Sequence, residues 1–345
     1  MNLGIILFLD KVIFLLMKKR ILLSFDYELF FGIRSGTVYN TLIVPTNKLL
    51  DFMDLYNLKG NFFVDWQTLK FLKQVNTERT NSDYLLIEKQ LMDIVKRGHR
   101  IELHIHPHWV NAVYNGDGTW NYDDYSHYSL YSFTEDEVTS MFKEGTELLN
   151  KIAHKVDPNY KVIAFRAGGW TVQPFSKLKK GFLETGLMID SSVAIGAYRE
   201  TPFFKYDFRK VSTSSQSYYR FTDDVTKEVK DGRFIEVPIS SYHRGFICKV
   251  YDKLFRKLFK KYATPITDGT HKRTDLPPAQ KTSVAMITMS TMNPLSVLRA
   301  MRKHKQALIT VIDHPKDYTR SVRMCLWFIG KLYRSITYVD IIENN

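Results

Sequence analysis

Three histidines, His104, His106 and His108, occupy alternate positions of the segment IELHIHPHW (101–109), in a chain that holds ten in all. Side chains at i, i+2 and i+4 of a strand point to one face, so three imidazoles here would share one small volume, as a metal site requires. An open Zn²⁺-type site takes three protein ligands at about 2.0–2.2 Å and keeps one position for water. Two histidines and a carboxylate satisfy it. His104 and His108 lie four residues apart with Pro107 bending the chain between them, so they can converge if the strand ends near there, His106 then being a hydrogen-bonding neighbour and not a fourth ligand. The carboxylate should come from an adjacent strand end. SFDYE (24–28) offers two on one face, Asp26 and Glu28, again at a period of two.

The elements that must position these groups alternate between strand-like and helix-like patterns. RILLSFD (20–26) is an apolar run suited to a buried parallel strand. TNKLLDFMDLYNLKG (46–60) has helical spacing, with Thr46 as its expected N-cap and Gly60 as its stop. NFFVDW (61–66), RIELHIH (100–106), KVIAFR (161–166) and LMIDSSV (187–193) read as strands. Helices are predicted over 82–99, over 134–155 behind the capping-box pair Thr134 and Glu137, and from Pro174. After a β-like stretch rich in Tyr, Ser and Thr (199–245), the alternation resumes with strand VAMITM, helix NPLSVLRAMRKHK, strand ALITVIDH, helix SVRMCLWFIGKLYR and strand TYVDII. Such βα alternation predicts an α/β fold with a mostly parallel sheet and its chemistry at the carboxyl ends of the strands. Asp26, Glu28, the histidines, Arg166 and Asp190 all fall at such ends.

At 345 residues the chain is long for one sandwich and comfortable for one α/β barrel or two smaller domains. Hydrophobic residues at 44% and charged residues at 25% exclude disordered and fibrous classes. Cys248 and Cys325 show no paired spacing, which argues against a disulfide framework and for a reducing compartment. A formal charge of +13 suits an anionic partner. Nucleic acid is not expected, because no basic run sits in a reading motif.

Five motifs in order resemble those of the polysaccharide deacetylases (carbohydrate esterase family 4, the NodB homology domain): LSFDYELFFG, GHRIELHIHPHW, FRAGGW, GLMIDSSV and VIDHP. The resemblance spans residues 20–315. It implies a distorted (β/α) barrel of about seven parallel strands, here with extra β-rich and helical insertions, and a metal-dependent hydrolase that removes N-acetyl groups from a sugar. Carried over residue by residue, it makes Asp26 the base, Glu28, His104 and His108 the metal ligands, Arg166 the holder of Asp26, Asp190 a partner tuning His314, and His314 the general acid; Asp313, beside His314, is the alternative tuner. It also implies one divalent ion, Zn²⁺ foremost, with Co²⁺, Ni²⁺ and Fe²⁺ compatible with a His₂-carboxylate set. The expected partner is an N-acetylated glycan or a lipid-linked glycan precursor. An O-acetyl or non-sugar amide substrate, or glycan binding without turnover, are the alternatives. The departures are Asp-Tyr-Glu for the usual Asp-Asp, Arg-Ala-Gly for Arg-x-Pro, and a fourth motif without its Trp.

Three segments stand apart from this set. The insertion at 109–133 gathers Trp120, Tyr122, Tyr125, Tyr128 and Tyr131 beside the histidines, either as a sugar-stacking subsite or lid or as a loop packed by its own aromatics. Trp109 and Trp170 are expected to wall the acetyl pocket. FICKVYDKLFRKLFKKY (246–262) reads as a basic amphipathic helix, either interfacial at a membrane or on the barrel with a solvated basic face. Residues 1–16 are apolar but split by Asp10 and Lys11, and lack a positive leading region and a cleavage site. They read as an extension preceding one domain at 17–345, with a membrane-touching segment as the alternative. The expected setting is cytoplasmic, with peripheral contact at the inner membrane face.

Overall fold

The computed structural model describes residues 19–211, 217–272 and 284–343; the proposed extension at 1–16 lies outside them. Its centre is a curled, mostly parallel sheet. The strands are β1 (Arg20–Tyr27), β2 (Gly60–Asp65), β3 (Arg100–Ile105), β4 (Ala164–Ala167), β5 (Ile189–Asp190), β6 (Tyr219–Phe221), β7 (Phe234–Glu236), β8 (Leu308–Asp313) and β9 (Arg334–Ser335). They run in the order β6-β7-β5-β4-β3-β2-β1-β8. Every pairing is parallel except β6 with β7. β9 pairs with Arg20 and Ile21 at the start of β1, on the stretch that precedes its pairing with β2. The chain beyond β7 bridges toward β8: Ser240 N–H donates to Thr310 O at 2.9 Å, Ile287 N–H to Ser240 O at 2.9 Å, and Ile312 N–H to Ile287 O at 3.2 Å. The result is an α/β half-barrel: the mostly parallel sheet is what the alternation predicts, and its curl into a distorted barrel is what the resemblance implies.

Helices α1 (Val44–Leu55), α2 (Trp66–Val75), α3 (Glu78–Lys96), α4 (Glu135–Ala153), α5 (Ser176–Thr185), α6 (Phe246–Leu258), α7 (Pro294–Lys303), α8 (Val322–Leu332) and α9 (Tyr338–Glu343) accompany the strands. The period of two divides each strand between two environments. Ile21, Leu23 and Phe25 of β1, with Ile101, Leu103 and Ile105 of β3, belong to the large core shared with the helices. Leu22 joins Phe63, Ala164, Ile189, Leu308 and Tyr338 in a second, smaller cluster. Ser24, Asp26 and Glu28 continue the face of Leu22, as His104 and His106 continue that of Glu102. This face therefore changes from apolar to ionic along the strands.

Four local expectations are corrected. TYVDII forms α9 instead of a strand, because Thr337 N–H and Oγ1 bond the Asp340 carboxylate at 2.7 and 2.9 Å, a capping arrangement that starts a helix. Thr46 does not cap α1; it lies inside the helix, which begins at Val44 after a π-helical turn over Tyr39–Ile43. Trp66 to Val75, where no helix was expected, forms α2 directly from the end of β2. The strand expected over 187–193 is confined to Ile189–Asp190. The capping box of Thr134 and Glu137 forms as predicted at the start of α4.

Candidate active site

Asp26 and Glu28 emerge at the carboxyl end of β1, His104 and His106 at that of β3, Arg166 on β4 and His314 just past β8. Arg166 is fully buried, and every guanidinium nitrogen is engaged: Nη1 donates to Asp26 Oδ1 at 2.6 Å, Nη2 to Ser24 Oγ at 2.9 Å and Ser191 Oγ at 3.1 Å, and Nε to Ser191 O at 2.8 Å. Its guanidinium also lies over the Phe63 ring, 4.1 Å from the centroid. Burial alone would raise the Asp26 pKa. Arg166, with His104 and His314, outweighs it and holds the carboxyl below its ordinary value.

Glu28 is the hub of the cluster. Its Oε2 faces His104 Nε2 at 3.0 Å and His106 Nε2 at 2.7 Å. Its Oε1 accepts from Lys316 Nζ at 2.7 Å, and Lys316 also donates to Leu29 O at 2.8 Å. Burial opposes ionisation of Glu28, but Lys316 and the two histidines hold it well below the usual carboxylate range. Two acids and two buried cations therefore balance within one cluster.

His104 Nδ1 lies 2.7 Å from the Arg166 carbonyl oxygen. A carbonyl only accepts, so Nδ1 carries the proton, and in the neutral ring the Nε2 lone pair is directed at the Glu28 carboxylate. Two acceptors 3.0 Å apart require a cation or a proton between them. Glu28, His104 and His106 offer three ligand atoms within 4.8 Å of one another, all buried. The donor set and its tautomer fit a divalent ion with one oxygen and two nitrogens from the protein, the other Glu28 oxygen being held by Lys316.

This changes the expected ligand set. β3 ends at Ile105, its alternation carrying on to His106, and Pro107 opens a 3₁₀ turn over Pro107–Asn111 that takes His108 out of phase. His108 is buried among aromatic rings, stacked with Tyr128 and Tyr125 at 5.2 and 5.9 Å and edge-on to Phe31 at 4.4 Å. His106, expected to stay outside the ligand set, takes the place beside Glu28.

Asp190 likewise stands away from its expected partner. It is fully buried, accepts from Ser192 N–H at 3.1 Å and Ser192 Oγ at 2.7 Å, and sits opposite Glu236 in the β5–β7 register. Burial raises both carboxyls, and for Glu236 the charge of Asp190 and the hydrogen bond to it add to burial, driving it well above the ordinary value. The acid nearest the His314 ring nitrogen Nδ1 is Asp317, at 3.5 Å, which also accepts from His271 Nε2 at 2.7 Å. Asp313, the other candidate, is turned to the Met289 and Ser290 N–H groups at 2.8 and 2.9 Å. His314 Nε2 is 3.6 Å from both Asp26 Oδ2 and Glu28 Oε1. Burial and Lys316 lower its pKa despite the three carboxylates around it.

These groups open on a cavity of about 430 Å³ walled by Phe31, Tyr128, Trp170, Arg199 and Phe204. Trp170 thus lines it as expected. Trp109 does not; it is buried, with Nε1 donating to Asp65 Oδ2 at 2.6 Å. Of the aromatic insertion only Tyr128 reaches the cavity, while Trp120, Tyr122 and Tyr125 are buried and Tyr131 is exposed. Sequence reasoning missed Lys316, His271, Asp317 and Asp65. Asp65 was detectable as a polar residue at a strand's carboxyl end, and in the β2–β3 register it lies opposite His104.

No protein-family profile and no curated protein sequence matches the chain. Solved structures do. A Mycobacterium smegmatis protein assigned as a polysaccharide deacetylase superposes with a TM-score of 0.50 at 15% identity, over 95% of this chain and 90% of that one. The chain has the fold of the polysaccharide deacetylases. A 4-alpha-glucanotransferase from Thermococcus litoralis gives the same TM-score at 12% identity over 94% of this chain, which spans 38% of that longer protein. The catalytic domain of a peptidoglycan N-acetylglucosamine deacetylase from Eubacterium rectale aligns over 93% of this chain and 89% of its own, at 15% identity and a TM-score of 0.36. Within the deacetylase fold, five of the seven motif residues carried over from the sequence, Asp26, Glu28, His104, Arg166 and His314, assemble in one cluster, whereas His108 and Asp190 stand outside it.

Proposed function

We propose that the protein is a metal-dependent deacetylase that removes N-acetyl groups from a sugar in a cell-surface polysaccharide or its precursor, with Glu28, His104 and His106 holding one divalent ion, Zn²⁺ foremost. The observation that carries this reading is the pairing of His104 Nδ1 with the Arg166 carbonyl, which turns the Nε2 lone pair onto Glu28, beside an Asp26 that Arg166 keeps ionised. When bound, such an ion lowers the pKa of a water toward about 7 and polarises the acyl carbonyl.

The remaining steps belong to the chain's own side chains. Asp26, ionised and aimed by Arg166, takes a proton from the attacking water. His314, neutral at rest because its pKa is lowered, receives that proton across the 3.6 Å separation from Asp26 Oδ2 and delivers it to the departing amine nitrogen. Asp317 opposite Nδ1 stabilises the imidazolium formed on the way. Lys316 fixes Glu28 and offsets its charge. Trp170, Tyr128 and Phe204 give the cavity apolar faces against which a sugar ring and its acetyl methyl can pack.

The test is acetate release from an oligomer of N-acetylglucosamine, measured before and after chelation and after return of Zn²⁺. Release abolished by chelation and restored by the ion supports the reading. Release unaffected by chelation refutes the ion's role, and the same protein releasing acetate only from O-acetyl esters refutes the amide specificity.

A further inference from the structure

We infer that α6 and the turn that follows it form a docking face for a membrane surface rich in anionic lipid. An ordinary barrel helix turns its apolar stripe inward. α6 does the reverse. Ile247, Tyr251, Leu254 and Leu258, spaced to share one stripe, are 58%, 60%, 46% and 71% exposed, and Phe246 and Phe259 at its ends are 80% and 51% exposed. Its one buried residue is polar: Asp252 accepts from Arg244 Nη2 at 2.8 Å, Asn293 N–H at 3.0 Å and Asn293 Nδ2 at 2.7 Å. The helix is thus fastened to the body through a carboxylate on its polar side, which leaves the apolar stripe pointing to solvent.

Charge selects the occupant. Lys249, Lys253, Arg256, Lys257, Lys260 and Lys261 occupy the rest of the segment's surface, all exposed, and Asp252 is the one acid in the segment. A second copy of this chain would bring six cations against six, which disfavours self-association. A bilayer with anionic head groups takes both features at once, the stripe entering the acyl boundary and the cations lying at head-group level. A cavity of about 720 Å³ adjoins the start of α6, lined by Phe246 and Ile247 together with Arg299, Lys303 and Lys305, and extends the positive surface. Among the described residues no helix is long and apolar enough to cross a membrane, so the contact is a surface one. This inference is independent of the deacetylase reading.

The experiment is co-sedimentation of the full chain with vesicles of phosphatidylcholine alone or mixed with phosphatidylglycerol. Partition is expected to rise at least about tenfold with the anionic lipid and to weaken with salt. The triple variants Ile247→Ser/Leu254→Ser/Leu258→Ser and Lys249→Glu/Lys253→Glu/Lys257→Glu are each expected to lose it at least about tenfold, with unchanged circular dichroism. In Tyr251→Trp the emission should shift to the blue on vesicles. Either triple variant binding like the parent overturns the proposal. So does binding that disappears when residues 1–16 alone are removed, or a solution dimer that the serine variant converts to monomers without any vesicle binding in the parent.

Discussion

Arg166 links the two halves of the proposed chemistry, since its side chain holds Asp26, the proposed base, while its carbonyl fixes the tautomer of His104. Arg166→Lys loses the fork that contacts Asp26, Ser24 and Ser191 together, so the Asp26 pKa should climb. In the proposed mechanism Asp26 must be ionised to accept a proton, so activity in the variant is expected to begin failing at a higher pH on descending the acid limb of the kcat/KM profile. Asp26→Asn should cost about 10²–10⁴ in kcat with bound metal unchanged, read by acetate release alongside metal analysis. The histidines permit a sharper comparison. Zn²⁺ titration is expected to show tight binding lost in His106→Gln and retained in His108→Gln; the reverse pattern would restore the ligand pair expected from sequence. Alternation along a strand foretold that the histidines cluster, but not where it stops. The bend expected at Pro107 to bring His108 toward His104 is instead the start of a turn that carries His108 away.

The elements were legible wherever periodicity was long and capped, as in α4 behind Thr134 or the unbroken apolar run of β1. They failed where a short segment had strand-like composition and a helix-starting pair. Tyr338, Val339, Ile341 and Ile342 favour a strand by type, yet the Asp340 carboxylate accepts from Thr337 N–H at the head of a helix, and Tyr338 N–H finds Asn61 Oδ1 at 3.1 Å. Asp340→Ala is expected to lower stability by about 1 kcal/mol in denaturant unfolding. Lys316 was not legible because its role arises only when the turn after β8 meets the end of β1, and no local pattern records that meeting. A backbone contact sets a tighter limit: a Cβ on Gly168 would stand 2.6 Å from both His106 Nδ1 and Ile105 O. Gly168→Ala should therefore displace His106 and weaken Zn²⁺ affinity, measured by competition with a chromogenic chelator.

Across the whole molecule, the resemblance and the alternation foretold the half-barrel, and the charge inventory explains a stability cost that sequence could not reveal. Asp190 and Glu236 face one another in neighbouring strands without a cation between them, both raised by burial. An acid raised on folding binds more protons folded than unfolded, so its contribution is complete below the unfolded value near 4.5 and is lost as pH rises toward the folded one. Glu236→Gln does not titrate. Its stability, followed by urea unfolding, should exceed that of the parent at neutral and higher pH and lose the advantage near pH 4, with a slope difference approaching about 1.4 kcal/mol per pH unit.

The ammonium of Lys316 and the carboxylate of Glu28 that it steadies are separated by 288 positions of polymer. Almost the entire chain must be synthesised before the Glu28 carboxylate meets this cation, whereas Asp26 meets Arg166 far earlier in the chain. A growing polypeptide still short of that lysine would leave Glu28 with the two histidines alone, so the full cluster is a consequence of completing the barrel and not of forming any fragment of it.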